Sequence, residues 1–239
     1  MSVLMLRLAG PLQSWGATAR FARRTTEPFP TKSGVIGLLA AALGRDRTDD
    51  ITDLAALRFG VRTDQPGTVL RDYQVALHFE TEKSMPVSER FYLADAVFVA
   101  GVEGGDALIE RLDAAVRAPA FLPYLGRRSC PPAKPVDLGV RRDVTLEMAL
   151  HQEPWHAADW HQRRRRNEAT VKLELHLEAT STDGPVDTLR DQPLSFDPRH
   201  RRYALRGVRV ADPVRKPNPR ARITPAPPDH DPIAALEGA

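Results

Sequence analysis

VLMLRLAGPLQSWGATARFARRTTEPFPTKSGVIGLLAAALG, residues 3–44, reads as a strand, a long polar loop and a helix, and that order decides the fold. Val3 to Leu8 is a short apolar strand closed by Gly10-Pro11. An Arg-rich loop follows from Gln13 to Pro30. Thr31 or Ser33 can then cap a helix whose apolar body is Val35, Ile36, Leu38, Leu39 and Leu43, with Gly44 as its stop.

Working outward, Asp49 to Leu57 has helical spacing, Phe59 to Arg62 is a strand, and Arg71 to Arg90 alternates poorly, as a protruding hairpin would. Tyr92 to Val102 reads as one strong strand and Asp106 to Val116 as a helix. Strand, helix, strand, hairpin, strand, helix fits a ferredoxin-like α+β sandwich, an architecture shared with RNA-recognition (RRM-like) modules. Beyond Pro119 the chain turns to Pro and Arg, with strands expected at Val144 to Leu150, Thr170 to Ala179 and Tyr203 to Val210. Val171, Leu173, Leu175 and Leu177 alternate with Lys172, Glu174, His176 and Glu178, the pattern of a half-buried antiparallel sheet. The expected organisation is a ferredoxin-like domain over 1–118, a basic β-rich region over 119–212, and a proline-rich tail over 213–239, extended or disordered.

With 239 residues the chain can bury a full core without a disulfide or metal staple, and its single cysteine, Cys130, excludes an internal disulfide framework. The start Met-Ser-Val-Leu-Met-Leu-Arg lacks the pattern of a signal peptide, and the apolar run Val35 to Leu43 is too short to span a bilayer. A cytoplasmic, membrane-free protein is expected. The net charge of +3 is uneven: Lys and Arg stand against Asp and Glu at 13 to 15 over residues 1–116, but 21 to 13 over 117–222. Arg dominates the basic half, and its planar fork suits phosphates and base stacking.

Thr31-Lys32-Ser33-Gly34 at a helix start offers amides, a hydroxyl and an ammonium for one phosphate, although it is no Walker A loop; equally, it can be a cap with glycine packed on the sheet. Gly126-Arg127-Arg128-Ser129 sets two guanidinium forks on a hinged turn. Cys130, followed by two prolines, reads as a buried thiol. His151, His156 and His161 share no helical face, which argues against zinc, whereas Trp155 and Trp160 beside Arg163 to Arg166 offer stacking planes or simply a surface loop. No paired-carboxylate or GxSxG pattern occurs. His78, Tyr73, Lys83 and Tyr92 near the hairpin are nonetheless the residue types that metal-independent RNA cleavage needs.

LRLAGPLQSWG, FPTKSGVIGLLAAALG, LRDYQV, FYLADAVF and PYLGRRSCPP, in this order, resemble the Cas-five family, the CasD subunits of type I-E CRISPR Cascade complexes within the RAMP superfamily. The match covers Leu4 to Pro135, with a weaker echo from Arg190 to Val210. The resemblance implies a ferredoxin-type RAMP fold with a β-hairpin thumb at about 72–91 that caps the 5′ handle of the crRNA. It implies contacts with the Cascade backbone subunit and large subunit, indirect engagement of target DNA, no cofactor and no catalysis. The RNA contacts it suggests are Gln13, Trp15, Gly16, Arg24, Thr31, Lys32, Ser33, Gly34, Lys83, Arg90, Arg127, Arg128 and Ser129. Type I-C relatives cut the repeat themselves, so the alternative is a metal-independent repeat endoribonuclease; a purely protein-binding scaffold is the third reading.

Overall fold

The computed structural model describes residues 1–17, 23–181 and 183–222. Its elements, in chain order, begin with β1 (Ser2–Ala9), β2 (Leu12–Gln13), β3 (Arg23–Arg24), α1 (Lys32–Ala42), α2 (Thr52–Ala55), β4 (Arg58–Gln65), β5 (Thr68–Gln74), β6 (Ser88–Ala94) and β7 (Val97–Gly104). They continue with α3 (Asp106–Arg117), β8 (Asp137–Arg142), α4 (Leu146–Gln152), α5 (Asp159–Arg164), β9 (Thr170–Glu178), β10 (Asp187–Ser195) and β11 (Arg202–Pro217). This is a mixed α/β fold with antiparallel sheets.

Seven strands form the main sheet in the order β10-β11-β9-β4-β7-β1-β8. Strands from residues 1–118 and 119–212 therefore lie in one sheet, because β8 pairs with β1 and β9 pairs with β4. A boundary near residue 118 falls inside that sheet.

Strand β1, between β7 and β8, is buried on both faces. Leu4, Leu6 and Leu8 meet Val35, Ile36 and Leu39 of α1 and Ile109 and Leu112 of α3, while Val3 and Met5 face Leu146, Ala149 and Leu150 of α4 on the other side. Burial of large aliphatic side chains contributes roughly 1.5–3 kcal/mol each, so both faces matter. β9 alternates as the sequence indicates: Val171, Leu173, Leu175 and Leu177 are buried, and Lys172 and Glu174 are exposed.

Several expectations are corrected. Residues 144–150 form no strand; Thr145 caps α4 by accepting from the Met148 amide at 3.3 Å, and Leu146, Ala149 and Leu150 share a buried face. Tyr92 to Val102 is two strands, broken at Asp95, whose φ of 56° turns the chain from the small sheet into the main one. The helix expected over 49–57 shortens to α2, and Pro213 to Pro217 belong to β11 rather than to a tail. Residues 218–222 follow β11, and residues 223–239 of the expected tail lie outside the described residues. Among the described residues no helix is long and apolar enough to cross a membrane.

Candidate nucleic-acid interface

The small sheet is built around β6, which pairs with β2 and β5 antiparallel and with β3 in parallel. The chain leaves the main sheet through Gly67, between β4 and β5, and returns through Asp95, between β6 and β7. Between β5 and β6, residues 75–87 form a projecting loop that exposes Leu77, Phe79 and Met85.

Three sequence blocks meet on Trp15, which is fully buried. Its indole Nε1 donates to Gln13 Oε1 at 3.1 Å, and Gln13 Nε2 donates to the carbonyls of Leu8 (3.1 Å) and Ala96 (2.7 Å). Gly34 of α1 packs on the ring so closely that a Cβ there would lie 2.8 Å from it. Gly126, at φ +82°, fits over Ser14, where any side chain would collide with the Ser14 carbonyl. The Ser14 amide donates to Leu125 O at 3.1 Å, and the Cys130 amide to Arg127 O at 2.9 Å, which closes the turn. The glycines, Gln13 and Trp15 of these blocks thus serve packing first.

That geometry changes the reading of six expected site residues. Gln13 and Trp15 are spent inside the core. Thr31 is buried and caps α1 by accepting from the Gly34 amide at 3.3 Å. Lys32 is 2% exposed; its Nζ donates to both oxygens of Glu178 (2.9 and 3.1 Å) and its amide to Asp191 Oδ2 at 2.7 Å. An internal carboxylate, itself bridged twice by Arg206, occupies the place at the helix start where the sequence predicts a phosphate. Desolvation lowers the Lys32 pKa, against the opposing pull of Glu178. Ser33 is half-buried with its hydroxyl turned to Thr31. Gly34 packs on Trp15 and has no side chain to offer a ligand.

The remaining candidates lie at the surface. Gly16, Arg24, Lys83, Arg128 and Ser129 are exposed or nearly so, and Arg90 and Arg127 are half-buried. Arg24 pairs in register with Arg90 across β3 and β6, so the two share a face. Tyr92, two residues along β6, shares that face, and the Arg127 guanidinium lies 4.8 Å above its ring. Arg127 Nη2 donates to Arg24 O at 2.8 Å, whereas its buried Nη1 has no hydrogen-bond partner among the described residues. The structure therefore brings Arg24, Arg90 and Arg127 together and leaves Lys83 apart on the projecting loop.

Two arginines escaped the sequence reading. Arg23 lies over Phe91 at 5.4 Å and Arg71 over Tyr73 at 4.6 Å, both flanking Glu89 on the opposite face of the small sheet. The alternation in Leu70-Arg71-Asp72-Tyr73-Gln74 was the available signal.

The residue types for acid–base chemistry divide between the projecting loop, where the His78 amide donates to Lys83 O at 2.9 Å, and the strands β5 and β6, which carry Tyr73 and Tyr92. His78 sits on the projecting loop, its Nδ1 accepting from the Thr81 amide at 3.3 Å; Tyr73 is under Arg71, and Tyr92 is buried beneath Arg127. Burial raises the Cys130 thiol, which keeps it protonated. Among the described residues no three His, Cys, Asp or Glu side chains are grouped to hold a metal.

Comparison with known proteins fits this frame. Residues 3–209 match a family profile described as CRISPR-associated protein (Cas_Cas5). The chain is 37% identical over 212 residues to the CRISPR system Cascade subunit CasD of Escherichia coli (strain K12), covering 80% of this chain and 92% of that protein. A solved structure described as a Cas protein superposes with a TM-score of 0.68 at 39% identity, covering 94% of this chain and all of the other. A chain of a CRISPR RNA-guided surveillance complex superposes with a TM-score of 0.73 at 35% identity, covering 98% of each.

Proposed function

The chain belongs to the CRISPR-associated Cas5 family, and from that premise we propose that it is the Cascade subunit that binds and caps the 5′ handle of the crRNA without cutting it. The observation that carries the reading is the grouping of Arg24, Arg90 and Arg127 on one face of the small sheet, with one Arg127 nitrogen lacking a hydrogen-bond partner among the described residues. Guanidinium forks there hold phosphates, Arg128 and Ser129 extend the turn toward the strand, and Gly16 lets the backbone come close. Phosphate contacts fix position and splayed bases give handle specificity.

The finer fold reading is a ferredoxin-like core, supported by the order β8-β1-β7-β4, with a helix following β1 and another following β7. The hairpin over about 72–91 is its thumb, and the exposed Leu77, Phe79 and Met85 suit docking against the backbone or large subunit. The non-catalytic reading draws support from the separation of His78 from the buried Tyr92.

The test is binding and cleavage of end-labelled repeat RNA by the full chain in EDTA. Wild type is expected to bind and leave the RNA intact, and Arg90→Ala with Arg127→Ala to lower affinity and reduce the salt slope by about 0.7 for each phosphate no longer neutralised. A discrete cleavage product that disappears in His78→Ala would establish the endoribonuclease instead, and unaltered binding by the double variant would remove the site.

A further inference from the structure

We propose that α5 and the end of β11 form a second contact for single-stranded nucleic acid, continuous with the thumb base, so that a strand gripped there runs on across α5. The inference rests on the handle-binding reading above for the strand's origin. Its own observations are separate.

The first is placement. Gln65, the last residue of β4, donates from Nε2 to Asp95 O at the thumb base and accepts at Oε1 from the Ala158 amide, at 3.0 Å, just before α5. Trp155 Nε1 donates to Asp64 O at 2.7 Å. One residue thus ties the hinge of the small sheet to the start of α5, and both lie at the same end of the main sheet.

The second is which side chains are left free. Trp155 is an anchor, 8% exposed, but Trp160 is 51% exposed, with His161 meeting its ring edge-on at 5.5 Å. Arg163 and Arg220 share Asp159, and Arg165 pairs with Glu168. Arg164 and Arg166 are exposed and carry no ion pair or side-chain hydrogen bond among the described residues.

The third is rigidity. Asn218 donates to the carbonyls of Gln162 (3.1 Å) and Arg165 (2.9 Å), and the Arg222 amide to Arg166 O at 2.8 Å, so the segment just past β11 holds α5 and the turn after it in place. An exposed indole at Trp160, with an unpaired guanidinium one turn along α5 at Arg164 and another just past the helix at Arg166, matches base stacking flanked by phosphate contacts.

The test uses the full chain and two labelled RNAs, one ending with the handle and one extended by roughly ten nucleotides, within the reach of a single-strand site. In the variant Trp160→Ala/Arg164→Ala/Arg166→Ala, affinity for the extended RNA should fall roughly tenfold, and its salt slope by about 1.4, for two phosphates. Affinity for the short RNA and the thermal unfolding midpoint should not change, and Trp160→Tyr alone should retain most of the binding. Equal binding of the extended RNA by wild type and triple variant overturns the proposal, as does equal loss of both RNAs. A triple variant that keeps RNA but no longer assembles with partner subunits also overturns it, in favour of an acidic protein surface. Arg90→Ala/Arg127→Ala, run in parallel, reports on the thumb base alone: unaltered binding of the short RNA there would sink the handle reading, independently of α5.

Discussion

Arg62 and Asp64 form a doubly bonded ion pair in which neither side chain is exposed to solvent, Nε to Oδ1 at 2.7 Å and Nη2 to Oδ2 at 3.0 Å. Arg62 also donates to the carbonyls of Leu150, Glu153 and Pro154, and Asp64 accepts from the His156 amide, so β4 holds the chain leaving α4. Asp64→Ala leaves a buried charge uncompensated and should cost about 3–5 kcal/mol of unfolding free energy. Urea denaturation measures it; a loss below about 1 kcal/mol would contradict the buried pairing.

Gly126→Ala is expected to lower both stability and RNA affinity. The residue sits at φ +82° and its added methyl would strike the Ser14 carbonyl, so the turn bearing Arg127 must move, at a cost of about 1–3 kcal/mol. Gly44→Ala is the control: φ +77° at the end of α1, strained in the same way but remote from the turn, it should lose stability and keep RNA binding.

Lys32 and Arg128 should behave oppositely, although both carry the charge a phosphate ligand needs. Lys32→Met leaves Glu178 with only the Phe59 amide as a hydrogen-bond partner among the described residues, without a cation, and should lower the melting temperature while leaving the salt dependence of RNA binding as it was. Arg128→Ala, on an exposed turn, should alter stability by no more than about 0.5 kcal/mol and reduce the salt slope by about 0.7. Salt titrations of the two variants side by side separate these outcomes.

Stability should fall as the solution is acidified below about pH 6.5, the ordinary imidazole value. Burial holds the pKa values of His161 and His176 below it, with Arg165 and Arg164 adding to the effect at His161. The folded chain then binds fewer protons than the unfolded one between about pH 6.5 and the folded pKa, and stability is lost across that window. His176 stacks on Phe29 at 4.1 Å with Nδ1 buried and unpartnered among the described residues. His176→Phe keeps the stacking and should flatten the decline; melting curves across the window that match wild type would refute this.

Strand β9 was legible from alternation alone, because one side of it is apolar and the other is not. Residues 144–150 were misread for the complementary reason: Val144, Leu146, Met148 and Leu150 alternate, yet Leu146, Ala149 and Leu150 also satisfy helical spacing, and the Thr145 cap decides the matter. At the candidate site the sequence shows which residues are basic or small but not what each packs against, and the structure buries Gln13, Trp15, Thr31 and Lys32. Lys32 is neutralised by Glu178, 146 residues away, and its amide is capped by Asp191, 159 residues away; local sequence carries no trace of either. Arg24, Arg90 and Arg127 were legible as basic residues, whereas their meeting depends on the parallel register of β3 with β6.

The meeting of residues 15, 34 and 126 around one indole also fixes when the site can come into being. During synthesis, Trp15 and α1 emerge early, but the cover supplied by Gly126 and the closing bond from Cys130 arrive only once more than half of the chain has been made. Until then the ring has an open flank and Tyr92 lacks the guanidinium that lies over it. A truncated or stalled product therefore presents neither the packed indole nor the arginine turn, and only chains that have run past Cys130 can complete the proposed site.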